Sequence, residues 1–448
     1  MTATPTAGAA PPDTPADQAG GGGYRLFLTA RSISWTGSAI SLVALPLLIY
    51  QRSGSPALTG LLSALEAIPY LLLGLPAGAW ADRMDPRRVL GLSALASCLL
   101  LASVPLADAA GALTTGHLLV AAAGSATALT FSDAAGFRAL AALVPPGRMG
   151  QATGHLSAVS TVIALAGPAA GGLLAAALGA SAAIAVDAAS FALSALLMTR
   201  LPLTPTPSAR SPHRSLRTEI GEGLRWVWNH RLVRTLTLLG VGNSLTAGFV
   251  TGLVVVVAVR QLDLSSDDGR IGLLYAAAGA GSLLASLLLA PLQRHLPVGW
   301  ITLGGLAAGL LFLGGWSASR SLILGAVTLL GWQAANTLVS LNGIVVRQTL
   351  APLELQARVN TTARIIAWGG QPAGALLGGM TAEHAGLGPA LGVGGSGLAL
   401  ALLAGTLTRL RHRDRLDALV HTPPAPARAP ARLLRTRAHT DAADGASG

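Results

Sequence analysis

Long apolar stretches alternate with short polar breaks along most of the chain. The breaks fall at turn signals such as "QRSGSP", "LADAAG", "VPPGRMG", "DLSSDDG" and "RHLPVG". Between them lie twelve stretches long and apolar enough to span a bilayer, at about 25–50, 56–81, 87–107, 113–143, 150–176, 179–200, 232–258, 271–292, 298–317, 321–346, 354–382 and 386–409. Helices are the expected form, because backbone groups in lipid must pair within their own segment. A membrane barrel would show short alternating segments instead, and none is seen. The pattern therefore predicts an all-α membrane protein of twelve transmembrane helices.

One long polar interruption, Leu201 to Arg234, divides the spans six and six. Its second half, "LRTEIGEGLRWVWNHRLVR", sets Leu216, Ile220, Leu224 and Val227 near one helical face. That predicts an amphipathic helix at the membrane surface with Trp226 and Trp228 at headgroup level; a plain linker is the alternative. Residues 1–23 have no basic residue ahead of an apolar core, so they read as a disordered tail and not as a signal peptide. The expected organisation is a tail at 1–23, a six-helix half at 24–201, a linker at 202–231, a second half at 232–411 and a disordered basic tail at 412–448. The halves also echo each other. "ALVPPGRMGQATGHLS" leading to "AGPAAGGLL" parallels "TLAPLELQARVNTTAR" leading to "GQPAGALLGG". Two six-helix halves related by internal repetition describe a secondary transporter.

Composition agrees: 52% of the 448 residues are hydrophobic and 11% charged, with mean hydropathy +0.58. A soluble domain carries about 25% charged residues. The net charge of +11 invites a nucleic-acid reading, but the positions of the charges exclude it. With both termini in the cytoplasm, only Arg52, Arg260, Arg270 and Arg320 of the thirty basic residues fall outside, as the positive-inside rule requires. The expected location is a bacterial plasma membrane. The sequence has no lysine, so a Walker A loop and Schiff-base catalysis are both excluded. Cys98 is the single cysteine, which leaves no internal disulfide.

The loop between spans two and three, "GAWADRMDPRRVL", packs Asp82, Arg83, Asp85, Arg87 and Arg88 into seven residues. With twelve spans in two halves, it resembles the loop signature of the major facilitator superfamily, with Gly78, Asp82, Arg83, Arg87 and Arg88 in the matching places. Asp85 and Pro86 stand where that family usually has a glycine. In span five, Gly167, Pro168, Gly171 and Gly172 match the glycine motif of the superfamily's exporters, with Ile163 in place of its upstream glycine. The whole chain is similar to the enterobactin-exporter and macrolide-efflux branch.

The resemblance implies two halves rocking about a central site. Asp82 is then expected to cap the N-terminus of span eleven when the cytoplasmic side is closed, with the loop arginines restraining it. The alternative for Arg87 and Arg88 is that they only set topology. The resemblance adds an acidic residue late in span four to this network, and Asp133 occupies that region. Glu66 and Arg364 fall near the bilayer midplane on spans two and eleven, and a pair that forms or breaks during transport is expected, against a static pair or a snorkelling arginine. Asp187 in span six either binds a proton or hydrogen-bonds nearby serines. Arg31 is expected near the cytoplasmic surface. Trp35, Asn243, Gln333, Asn336, Asn342 and Gln371 are cavity candidates, each equally able to serve helix packing.

The function these readings support is a proton-coupled exporter of small hydrophobic or amphiphilic compounds of drug, macrolide or siderophore-like type. It would act as a monomer, with no cofactor beyond the proton gradient and no metal. An importer and a non-transporting sensor or scaffold of the same shape are the alternatives. No nucleophile–base or metal constellation suggests an enzyme.

Overall fold

The computed structural model describes residues 15–81, 83–203, 216–352 and 355–408, and every regular element among them is helical. The first half comprises α1 (Pro15–Ser53), α2 (Pro56–Ala81), α3 (Pro86–Ala109), α4 (Thr115–Leu143), α5 (Met149–Leu178) and α6 (Ala180–Thr199). A short helix, α7 (Leu216–Asn229), precedes α8 (Arg231–Arg260), α9 (Ile271–His295), α10 (Val298–Ala318), α11 (Leu322–Leu350), α12 (Gln356–Trp368), α13 (Gly370–His384) and α14 (Leu387–Leu407). Eleven of these are long and apolar enough to cross a membrane. The remaining expected span, the eleventh at 354–382, is divided into α12 and α13 at Gly369. Its path continues there, since the Gly369 N–H still donates to the Ile365 carbonyl at 3.0 Å. Pro372 has no N–H for the carbonyl four residues earlier, and this missing rung explains the interruption.

Local chemistry sets the remaining boundaries. α2 and α3 begin at Pro56 and Pro86, where an absent N–H leaves nothing unpaired. Thr114 and Ser321 cap α4 and α11 through their hydroxyls. α1 starts at Pro15, inside the stretch expected to be a tail, so the ladder of span one extends backwards. Gly179 and Gly386 turn the chain from α5 to α6 and from α13 to α14 with φ of 87° and 89°. L side chains rarely adopt such values, so the same glycine hinge recurs at equivalent points of the two halves.

The helices pack as two bundles, α1–α6 and α8–α14, with α1 and α8 the most enclosed spans. The bundles meet along two antiparallel pairs, α2 with α13 and α5 with α9, and α2 also packs on α8. We call the end carrying the α2–α3 loop and α7 the linker end, and the end carrying the α1–α2 turn the far end. Without a hydrophobic drive between helices in lipid, such contacts depend on close backbone approach. A methyl group on Gly172 would sit 2.6 Å from the Cα of Gly272 and 2.7 Å from the Gly269 carbonyl oxygen. One on Gly379 would sit 2.5 Å from the Pro56 carbonyl oxygen and 3.1 Å from the Cα of Gly60.

Candidate functional site

Three adjoining cavities lie within the first half and between it and the second, and Tyr70 forms part of the wall of each. The first, about 440 Å³, is enclosed by α1 to α6, with Trp35, Glu66, Phe191 and Asp187 among its lining. The second, about 320 Å³, lies between α2 and α12–α13 against Glu66, Arg364, Trp368 and Gln371. The third, about 460 Å³, extends toward the linker end past Phe27, Arg31, Asp133 and Phe137. The space therefore runs from the middle of the bundle almost to the linker ends of α4 and α5.

The polar centre of this space was not visible in the sequence. Arg31 is buried within the bundle and not at its surface. Its guanidinium donates to Asp133 at 2.5 Å and to Ser132 at 3.1 Å, and lies over the Trp35 ring at 4.7 Å. Asp133 also accepts a hydrogen bond from the Tyr70 hydroxyl. Asp133 thus joins α1, α2 and α4 inside the first half, and it does not serve the α2–α3 loop as expected. The residue that reaches that loop is Arg138, whose guanidinium donates to the carbonyls of Ala81 and Met84. Five residues separate the two, so they point from different faces of α4.

Asp82 lies outside the described residues, so its expected contact with span eleven does too. Arg83, Arg87 and Arg88 are exposed, and Gly78 faces open space. Asp85 and Pro86 acquire a simple role as the N-cap and first residue of α3: the Asp85 carboxylate accepts from the Arg87 N–H at 3.0 Å. The departure from the usual glycine turn is a helix start.

Glu66 and Arg364 face the second cavity together, but no ion pair joins them; Arg364 instead lies over Trp368 at 5.6 Å. Glu66 has no hydrogen-bond partner among the described residues. Asp187 is 1% exposed and accepts from Ser190 at 3.2 Å. It also abuts α1 at Gly37, where any side chain would strike it. Of the cavity candidates, Trp35 and Gln371 line the space. Asn243 is engaged in packing, donating to the Asn336 carbonyl at 3.2 Å and to Ser340 at 3.3 Å. Gln333 donates to Ser282 and Thr337, and Asn342 to Val298 and Thr302. A polar group buried between helices finds the nearest backbone or hydroxyl, which withdraws these residues from the cavity.

The span-five motif divides its labour. Gly167 and Gly171 let α5 approach Ala39 and Ile40 of α1, Gly172 meets α9, and Pro168 lines the first cavity. α7 docks on α12 through Gly223 and Val227, and Arg358 donates to Glu222 at 2.5 Å. Ile220 and Leu224, expected on the face of Val227, are exposed with Trp228. Among the described residues no cluster could hold a metal ion.

Known proteins show the same architecture. The family model of the Major Facilitator Superfamily matches residues 27–266, over half of the chain. The chain belongs to the major facilitator superfamily. The multidrug efflux pump Tap of Mycolicibacterium fortuitum is 30% identical over 420 residues, covering 87% of this chain and 96% of the relative. Tap of Mycobacterium tuberculosis is 29% identical over 283 residues, 61% of this chain and 66% of the relative. Among solved structures, a bacterial homologue of the human lysosomal transporter Spinster, inward-facing and unoccupied, aligns with a TM-score of 0.72 at 17% identity. That alignment covers 91% of this chain and 99% of the other. The nucleoside transporter NupG aligns with a TM-score of 0.71 at 12% identity, over 90% and 100%. These structures establish the shared fold. The chain is a multi-pass membrane transporter and not an enzyme.

Proposed function

We propose that this transporter is a proton-coupled exporter of small hydrophobic or amphiphilic compounds, working by alternating access from a bacterial plasma membrane with both termini in the cytoplasm. The observation that carries the reading is the placing of two carboxylates, Glu66 and Asp187, on one largely apolar cavity inside the first half, with Glu66 also facing the cavity between the halves. Ionisable groups inside a membrane are costly and are kept for substrate or ion pathways. Glu66, with no partner among the described residues, is the group best free to exchange a proton when the cavity changes sides. The aromatic walls of Trp35, Tyr70, Phe191 and Trp368 suit flat apolar substrates. The distribution of arginines supports the orientation, which makes the linker end cytoplasmic. Relatives described as multidrug efflux pumps support export over import. One chain completes the cavity, so a monomer suffices.

The test uses the lipophilic cation ethidium in proteoliposomes with an imposed pH gradient. Wild-type protein moves the dye against its gradient, collapse of the pH gradient stops it, and Glu66→Gln reduces gradient-driven movement at least about tenfold while dye binding persists. Movement indifferent to the pH gradient would remove proton coupling. Gradient-driven movement only toward the linker end would favour import.

A further inference from the structure

Among the described residues, five hydrogen bonds cross between the two halves at the far end, and all of them grip the α1–α2 turn or its flanks. Ser55 is the N-cap of α2: its hydroxyl accepts from the Leu58 N–H at 3.2 Å and donates to the Glu383 carboxylate at 3.0 Å. The same Glu383 oxygen accepts from the Ala57 N–H at 3.3 Å. Pro56, between them, has no N–H to satisfy. A carboxylate at the end of α13 therefore completes the start of α2 in the other half, where the helix presents its partial positive charge. Arg260, at the end of α8, donates at 2.9 Å to the Tyr50 hydroxyl and at 2.9 Å to the Gly54 carbonyl. Gln51 returns one bond to the Ser266 carbonyl at 2.7 Å. Below these contacts, Gly60 and Gly379 bring the backbones of α2 and α13 together.

α2 and α12–α13 run antiparallel, and Glu383, in the last turn of α13 at the far end, meets the start of α2. We propose that Glu383, assisted by Arg260, is a far-end latch: it holds the far end shut by capping α2 across the halves, and it must let go each time the cavity opens to that side. The proposal rests on the alternating-access reading. It differs from a static surface contact in that its removal shifts the population of states, since the capped geometry exists only when the far end is closed.

The experiment measures distances between spin labels at the far end. In a Cys98→Ala background, Ala110→Cys on the first half and Ala318→Cys on the second carry the labels, both being exposed there. In nanodiscs without substrate, Glu383→Gln is expected to raise the long-distance, far-open fraction about threefold or more. Arg260→Gln, which removes different contacts, shifts it in the same direction and serves if the first variant does not fold. Arg320→Gln, an exposed far-end arginine outside the latch, leaves the distribution unchanged. Distributions of Glu383→Gln and Arg260→Gln that both match wild type overturn the latch. Failure of wild type to move ethidium under a pH gradient overturns the proton-coupled export reading instead, so the two failures fall on different readouts.

Discussion

The two ends of the molecule are built from different materials. At the far end the halves meet backbone against backbone, at Gly172 with Gly272 and at Gly379 with Gly60, and the charged groups that bridge the halves there, Glu383 and Arg260, bind main-chain and hydroxyl partners. At the linker end the structure relies on long side chains and caps: Arg138 on loop carbonyls, Asp85 on the start of α3, Arg358 with Glu222. α5 spans both environments. Its Gly172 has no room for a methyl group, while Gly150 and Gly154 near its start face open space. A seam closed by backbone is intolerant of added atoms, whereas each of these linker-end contacts lies on one side of the seam and need not break when the halves move apart.

The largest predicted effect tests this contrast within one helix. Gly172→Ala places a carbon against the backbone of Gly269 and Gly272, and no side chain can move to admit it. We expect dye export to fall at least about tenfold, with the far end displaced in spin-label distances. Gly154→Ala, eighteen residues earlier, should leave export unchanged and stabilise α5 by up to about 1 kcal/mol, the difference in helix propensity. Equal losses from both substitutions would break the comparison.

Much of this architecture is legible in hydropathy alone, because membrane spans must be long, apolar and helical. The break at Gly369 was also written in "AWGGQP", although a Gly/Pro-rich stretch does not say which residue interrupts the ladder. The polar centre was not legible. Pairing Arg31 with Asp133 and Tyr70 requires the rotation of three helices, and each residue of error in a span boundary turns a side chain by about 100°. The same uncertainty hid the fate of Asn243 and Gln333. A polar residue in a span faces either a cavity or a neighbouring helix, and only the rotation of the helix decides.

The next effect concerns the group that joins both regions. Arg31→Gln leaves Asp133 inside the bundle with only Tyr70 as partner, and Asp133→Asn leaves Arg31 without its anion. Breaking a buried pair from one side costs about 3–5 kcal/mol. Since the Asp133 side chain is 28% exposed to the cavity, the lower part of that range is expected. Thermal unfolding in detergent measures it. The exchange Arg31→Asp with Asp133→Arg should recover part of the loss, and no recovery would show that the orientation of the pair matters more than its charge.

Smaller again is the linker-end clamp. The Arg358–Glu222 pair is partly exposed, with side chains 26% and 35% accessible, so its removal by Glu222→Gln should cost under about 1 kcal/mol. The consequence is positional: α7 remains held by Val227 and Gly223, and faster hydrogen exchange along α7 would register the loosening. Unchanged exchange would assign the docking to packing alone.

Asp85→Ala gives the smallest effect and isolates local from global structure. The Asp85 carboxylate serves one N–H, that of Arg87, so its loss should cost about 1 kcal/mol, the usual value of an N-cap. Fraying is expected to stay within the first turn of α3, because Val89 and Leu90 are buried and anchor the helix just beyond it. Hydrogen exchange should quicken at Arg87 and Arg88, while far-end distances stay as in wild type. A far-end change from this substitution would mean that the linker-end loop and the α2–α13 contact move as one unit. The two ends would then be coupled through α2 itself, whose 26 residues run from one to the other.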